Sequence, residues 1–122
     1  MTGIEKFVNL ETLLCYSNQL NNLDISQNSS LISLDCSHNQ LTTLDVSRNT
    51  TLEGLICSYN RLTSLDVSNN TSLDMGLGGH YDCFLEIENM PDLEKVCVWR
   101  IPFPPTGFLL CADGSPNVYF TD

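Results

Sequence analysis

Three consecutive stretches decide the fold: Leu10–Ser30 (LETLLCYSNQLNNLDISQNSS), Leu31–Thr51 (LISLDCSHNQLTTLDVSRNTT) and Leu52–Ser72 (LEGLICSYNRLTSLDVSNNTS). Each is 21 residues long and fits L-x-x-L-x-C-x-x-N-x-L-x-x-L-D-[IV]-S-x-N-x-x without an exception. Leu13, Leu34 and Leu55 share a column, as do Cys15, Cys36 and Cys57, then Asn18, Asn39 and Asn60. Asp24, Asp45 and Asp66 form another, and so do Asn28, Asn49 and Asn70. Self-similarity at a fixed period is the signature of a solenoid, whose single coil cannot bury its apolar side until neighbours stack on it. Leu-x-Cys and Leu-Asp-Val alternate with the period of two that sends neighbouring side chains to opposite faces of a strand. Each coil therefore supplies two short extended segments, stacked ~4.8 Å apart as parallel ladders. The Asn columns fall where the chain turns, and there a buried amide satisfies backbone groups that no strand pairs. No segment has a helical apolar spacing, so little or no helix is expected.

The register runs backwards from Leu10, placing Ile4 in the column of Ile25 and Val46, and Phe7 in the column of Asn28. The chain thus begins partway through a coil, as expected of an excerpt from a longer protein. The missing signal peptide, whose apolar core the Met1–Lys6 stretch lacks, is then uninformative. Forward of Leu73 the pattern loosens. Leu85 to Leu93 keeps the eight-residue step of Leu65 to Leu73, so Leu85 is expected in the Leu65 column, with one residue lost near Met75–His80. A final coil is expected on Leu93, Val96 and Val98, with Ile101 replacing Asn and Phe103 replacing Leu. Pro102, Pro104 and Pro105 cannot donate to a continuing ladder. Phe108–Cys111, Ala112–Asn117 and Val118–Phe120 read as strand, turn, strand. The expected organisation is coils over 1–92 (degenerate over 73–92) and a last coil plus C-terminal cap over 93–122, giving about five coils.

L-x-x-L-x-C-x-x-N-x-L resembles the conserved segment of leucine-rich repeats, and L-x-x-L-D-[IV]-S-x-N nearly repeats it. This nested pattern is similar to the 21-residue repeats of bacterial cell-surface proteins of the Bacteroidetes type. The resemblance implies an all-β, right-handed solenoid, secretion or display on the cell surface, and recognition of a protein or a glycan.

Composition narrows the partners. The 122 residues carry 15 acidic and five basic side chains, a formal charge of −10. Lys6, Arg48, Arg61, Lys95 and Arg100 are scattered, whereas a nucleic-acid or anionic-membrane surface needs clustered cations. No apolar run reaches the ~20 residues of a membrane span.

The six cysteines divide into two sets. Cys15, Cys36 and Cys57 occupy an inward column as small hydrophobes, their Cβ atoms slightly beyond the ~3.5–4.5 Å a disulfide prefers. Cys83, Cys97 and Cys111 are out of phase with the coil, and a bond between two of them stays open. With no C-x-x-C and only His38 and His80, neither zinc nor any other metal or cofactor is expected. The acidic column reads as a solvated face before a calcium site, since the Gly-rich calcium nonapeptide is absent. Asn28-Ser-Ser, Asn49-Thr-Thr and Asn70-Thr-Ser match the glycosylation sequon where the repeat needs Asn anyway. Catalysis has only Cys97 with His80 to offer, without an orienting group or oxyanion donor, so no enzyme is expected.

Positions flanking the inward residues are free to vary: Leu14 and Tyr16, Asp35 and Ser37, Ile56 and Ser58, Cys97 and Trp99. One step on come His38, Tyr59, His80 and Arg100. Aromatic and Arg side chains dominate interface hot spots, making Tyr16, His38, Tyr59, His80, Trp99 and Arg100 the candidate ligand-binding set. The leading reading is a recognition or adhesion module for a protein partner, of host or cell-surface origin. The alternatives are a glycan-binding module and a spacer that displays another domain.

Overall fold

The computed structural model describes residues 3–74, 83–98, 110–115 and 119–121, and in them the repeat forms two parallel sheets. The first is built from β1 (Thr12–Leu14), β2 (Ser33–Asp35), β3 (Gly54–Ile56), β5 (Leu85–Glu86) and β7 (Leu110–Cys111), in that order. The second is β4 (Ser64–Asp66), β6 (Lys95–Cys97) and β8 (Tyr119–Thr121). Five strands on one side make five coils, as the repeat predicts. Among the described residues there is no α-helix, only 3-10 turns at Ile4–Lys6 and Thr71–Asp74, and no helix long and apolar enough to cross a membrane.

Register follows the columns. Leu13 pairs with Leu34 and Leu34 with Leu55, so identical residues stack. Inward leucines of successive coils, Leu31, Leu34, Leu41, Leu52, Leu55 and Leu62, are wholly buried. Each such side chain contributes roughly 2 kcal/mol by leaving water. Cys36 and Cys57 are equally buried and donate their thiols to the carbonyls of Ile56 and Glu86 in the next coil, each at 3.5 Å. Burial pushes Cys15 up to about 11 and Cys57 up to about 12, and raises Cys36 as well.

The asparagines tie coil to coil. Asn39 Nδ2 donates to the Cys36 carbonyl in its own coil and to Cys15 in the coil before, while its Oδ1 accepts the Leu20 N–H. Asn60 repeats this with Cys57, Cys36 and Leu41. On the other column Asn49 donates to Ile25 and Asn28, and Asn70 to Val46 and Asn49. Asn28 donates to Ile4 and Phe7, which confirms their expected columns. Asn28, Asn49 and Asn70 are fully buried with both donors engaged inside, so the sequons are structural turns.

The register after Leu73 differs from the expectation. Leu85 pairs with Leu55, 30 residues on, rather than joining the Leu65 column, and Val96 pairs with Leu65. Residues are therefore gained in this coil, not lost. The two half-repeats are nearly alike, so spacing had to tell them apart. A turn at Pro91–Asp92 lengthens the Leu55-to-Leu62 step from seven residues to eight and imitates the second half. Val96 and Val98 accordingly close the fourth coil instead of opening the fifth. The expected C-terminal strand, turn, strand is not a hairpin: β7 extends the first sheet and β8 the second, both in parallel. Ser115 takes the asparagine's place there, donating its hydroxyl to the Ile87 carbonyl at 2.6 Å and accepting the Met90 N–H. Ile101, Phe103 and the three prolines lie outside the described residues.

The second side is a ladder only from β4 onward. Leu23–Ile25 and Leu44–Val46 hold the expected inward leucines but form no strands. A shallow depression of about 350 Å³ lies there, lined by Asn22, Asp24, Ser26, Thr43, Asp45 and Arg48 among others.

Candidate recognition face

One column of the coil turns through the left-handed region. Ser17, His38, Tyr59 and Asn89 have φ of 53°, 53°, 56° and 50°, and Gly114, at 75°, follows them in register. Each N–H donates to the next coil: Ser17 to Ser37, His38 to Ser58, Tyr59 to Glu88 and Asn89 to Asp113, at 2.8–3.0 Å. These bonds hold a conformation that suits glycine or asparagine. At Gly114 an added Cβ would lie 2.7 Å from Asn89 Oδ1, so a larger residue there requires the Asn89 side chain to move. Coils two and three instead place His38 and Tyr59 here. Their rings stack with centroids 4.1 Å apart and planes 12° from parallel, and Tyr59 is 45% exposed.

Tyr16 lies one column away and is 51% exposed, beside Leu14 at 54%. Four of the other positions expected to be free are not. Asp35, Ser37, Ile56 and Ser58 are all buried. Asp35 accepts the Ser37 N–H at 3.0 Å and its hydroxyl at 2.6 Å, and the Ser58 hydroxyl accepts the Glu88 N–H at 2.9 Å. The face thus narrows to Leu14 and Tyr16 at its first coil and the His38–Tyr59 step beside it. The strand period alone does not reveal this, because it assigns a direction to a side chain and says nothing of what covers it.

His80, Trp99 and Arg100 lie outside the described residues. The column position after Tyr59, expected for His80, belongs to Asn89. Cys97, expected beside Trp99 on the first ladder, pairs with Asp66 and Thr121 on the second sheet. Val98, just before Trp99, donates to Thr121 there.

The acidic column is built into turns. Asp24, Asp45 and Asp66 each accept the N–H of the serine two residues on, at 2.9–3.0 Å, and Asp66 also takes the Ser68 hydroxyl at 2.6 Å. Hydrogen bonds from the Ser26 and Ser47 hydroxyls, then from their N–H groups, hold Asp24 and Asp45 below the usual carboxylate range. Among the described residues no three His, Cys, Asp or Glu side chains are grouped to hold a metal ion. Cys83 and Cys111 form a disulfide with Cα atoms 5.9 Å apart, which resolves the cysteine alternatives, and Cys97 is a half-buried free thiol.

No protein-family model and no curated protein matches the chain. Among solved structures it is similar to the functional domain of InlJ from Listeria monocytogenes, described as including a cysteine ladder. The TM-score is 0.68 at 25% identity, over 100% of this chain and 29% of that one. The chain therefore spans under a third of the length of the structure it matches. The cysteine column here, Cys15–Cys36–Cys57, is such a ladder, and the fold is an all-β, leucine-rich-repeat solenoid.

Proposed function

We propose that the chain is a non-enzymatic recognition module that docks a protein partner through the first sheet's exposed margin, centred on Tyr16, His38 and Tyr59. The observation that carries this is the placement of a stacked, exposed His–Tyr pair at left-handed positions. A bulky side chain there costs on the order of 1–3 kcal/mol, and such strain clusters at ligand-binding sites. Rigid aromatic side chains lose little entropy on docking and dominate interface hot spots. Secretion or display on a bacterial surface belongs to the same proposal. The Cys83–Cys111 disulfide suits an oxidising compartment, while burial keeps the ladder thiols out of exchange.

The test is a binding screen of the chain against extracellular proteins and glycans, with a Tyr16→Ala/His38→Ala/Tyr59→Ala variant whose circular dichroism matches the parent. A protein ligand that the variant binds at least ~10-fold more weakly supports the reading, ~1.4 kcal/mol being a modest hot-spot loss. Competition by a free sugar would transfer the face to glycan recognition. Equal binding by both forms, or none, would leave a spacer that displays other domains.

A further inference from the structure

The His38–Tyr59 stack runs along the axis of the solenoid and stops after two rings. His38 belongs to the second coil and Tyr59 to the third, and their centroid separation of 4.1 Å is close to the ~4.8 Å between coils. One face of Tyr59 is therefore covered by His38, and the other is turned to the fourth coil. The residue in register there is Asn89, because Ile56 pairs with Glu86 and the Tyr59 N–H donates to the Glu88 carbonyl at 2.9 Å. The Asn89 side chain leans away from the ring. A Cβ added to Gly114, one coil further on, would lie 2.7 Å from the Asn89 Oδ1 and 3.1 Å from its Cγ, but 3.4 Å from its Cα. The amide thus takes the room that glycine leaves in the fifth coil, and Tyr59 stays 45% exposed.

Carboxylates flank this open face. Ser58, Glu88 and Asp113 follow one another in the column beside it. The Ser58 hydroxyl accepts the Glu88 N–H at 2.9 Å, and the Asn89 N–H donates to the Asp113 carbonyl at 2.8 Å. Glu88 is half-buried and Asp113 exposed. Negative charge on this sheet reaches as far inside as Cys57, whose thiol is pushed up first by burial and then by Glu86 and Asp35. Among the described residues no cation is stacked on Tyr59 or paired with Glu88 or Asp113, the exposed Arg61 included. At the opposite end of the stack the register sets Ser17 against His38, with Tyr16 in the neighbouring column and no carboxylate at either position.

An aromatic face attracts a cation through its ring quadrupole, and a carboxylate at its edge pairs the same charge. We infer that the open face of Tyr59 receives the guanidinium of an arginine on the protein partner, as the third plane of the stack, with Glu88 as its ion pair. The inference rests on the reading of this margin as a protein-docking face and names what the partner presents to it. A guanidinium is planar and weakly hydrated, so it lies parallel to the ring while its edge N–H groups point at the carboxylate. An ammonium has no face to stack and gives up its water less readily.

The experiment uses the intact chain and, as probes, N-acetyl-arginine-methylamide and its lysine counterpart, titrated at constant ionic strength. NMR follows the Tyr59 ring protons and the arginine δ-protons, which the ring current moves upfield when they lie over the ring. The expected result is a saturable shift centred on Tyr59 and Asn89, with arginine bound at least ~3-fold more tightly than lysine. Glu88→Gln, with a urea midpoint matching the parent, should weaken arginine binding at least ~3-fold. Sodium chloride should weaken the parent's complex more than the variant's. Equal affinity for the two probes, or arginine affinity unmoved by Glu88→Gln, overturns the inference, because only the diffuse attraction of a chain of charge −10 would remain. So does the absence of any saturable shift. If Glu88→Gln destabilises the fold, the arginine-to-lysine ratio of the parent decides. A protein ligand lost by the Tyr16→Ala/His38→Ala/Tyr59→Ala variant but kept by Glu88→Gln removes the arginine and leaves the docking face. Failure of the docking reading shows separately, as the absence of any protein ligand in the screen.

Discussion

At the scale of the residue, the two asparagine columns look alike in sequence but carry different loads. Asn39 engages both ends of its amide, whereas Asn28, Asn49 and Asn70 use both N–H donors and leave a buried Oδ1 without a partner. A buried unsatisfied acceptor costs free energy that an alanine would not carry. Asn39→Ala strands the Leu20 N–H and removes the donor to the Cys15 carbonyl, an expected loss of about 3 kcal/mol. Asn49→Ala loses two donors but also the orphaned oxygen, and should cost about 2 kcal/mol. Urea unfolding midpoints at constant m distinguish the two. If Asn49→Ala proves the more damaging, its oxygen is satisfied, by a buried water for instance, and the ranking fails.

At the scale of the element, the two sides of the coil differ in cohesion although the repeat writes them almost identically. Leu34 and Leu55 sit in a hydrogen-bonded ladder; Leu23 and Leu44 are buried without one. Local opening tracks such differences. Hydrogen exchange should therefore be at least ~10-fold faster at Leu23 and Leu44 than at Cys36 and Cys57, whose N–H groups donate to Ile56 and Glu86. Equal protection would mean that the second side is a ladder throughout. The coil, its inward columns and its turns were legible in residues 10–72 because every column repeats. Spacing misplaces Leu85 because the half-repeats share one pattern, and the single turn at Pro91–Asp92 makes one half imitate the other. The candidate face was legible in part. Tyr16 falls where the strand period sends it, but Tyr59 lies one step past the outward positions, and the left-handed column that pairs it with His38 has no signature until Asn89 and Gly114 are brought into line with it.

At the scale of the whole molecule, stability is a chain of nearest-neighbour contacts, and the last link is made covalently. Coils one to three share identical columns, whereas the fourth and fifth replace cysteine with Ile87 and Ala112, and asparagine with Met90 and Ser115. Met90 offers no side-chain donor back to the third coil, and between the fourth and fifth a single Ser115 hydroxyl stands in for the asparagine amide. The Cys83–Cys111 bond spans this fourth-to-fifth junction, joining the residues before β5 to β7 across 28 positions. Closing a loop of that length removes unfolded-state entropy worth about 3.5 kcal/mol in the chain-entropy account. In a quasi-one-dimensional stack the effect of cutting it should be local. A Cys83→Ser/Cys111→Ser variant is expected to lose amide protection first at Ile87, Asn89 and Val98, which donate to the fifth coil. Cys15 and Cys36, bonded to coils two and three, should keep theirs. Residue-resolved hydrogen exchange at rising urea makes the comparison. Simultaneous loss over all five coils would show a single cooperative unit and remove the nearest-neighbour account. Retention of the fifth coil at full protection would show that parallel pairing of β5 with β7 and β6 with β8 holds the end without the bond.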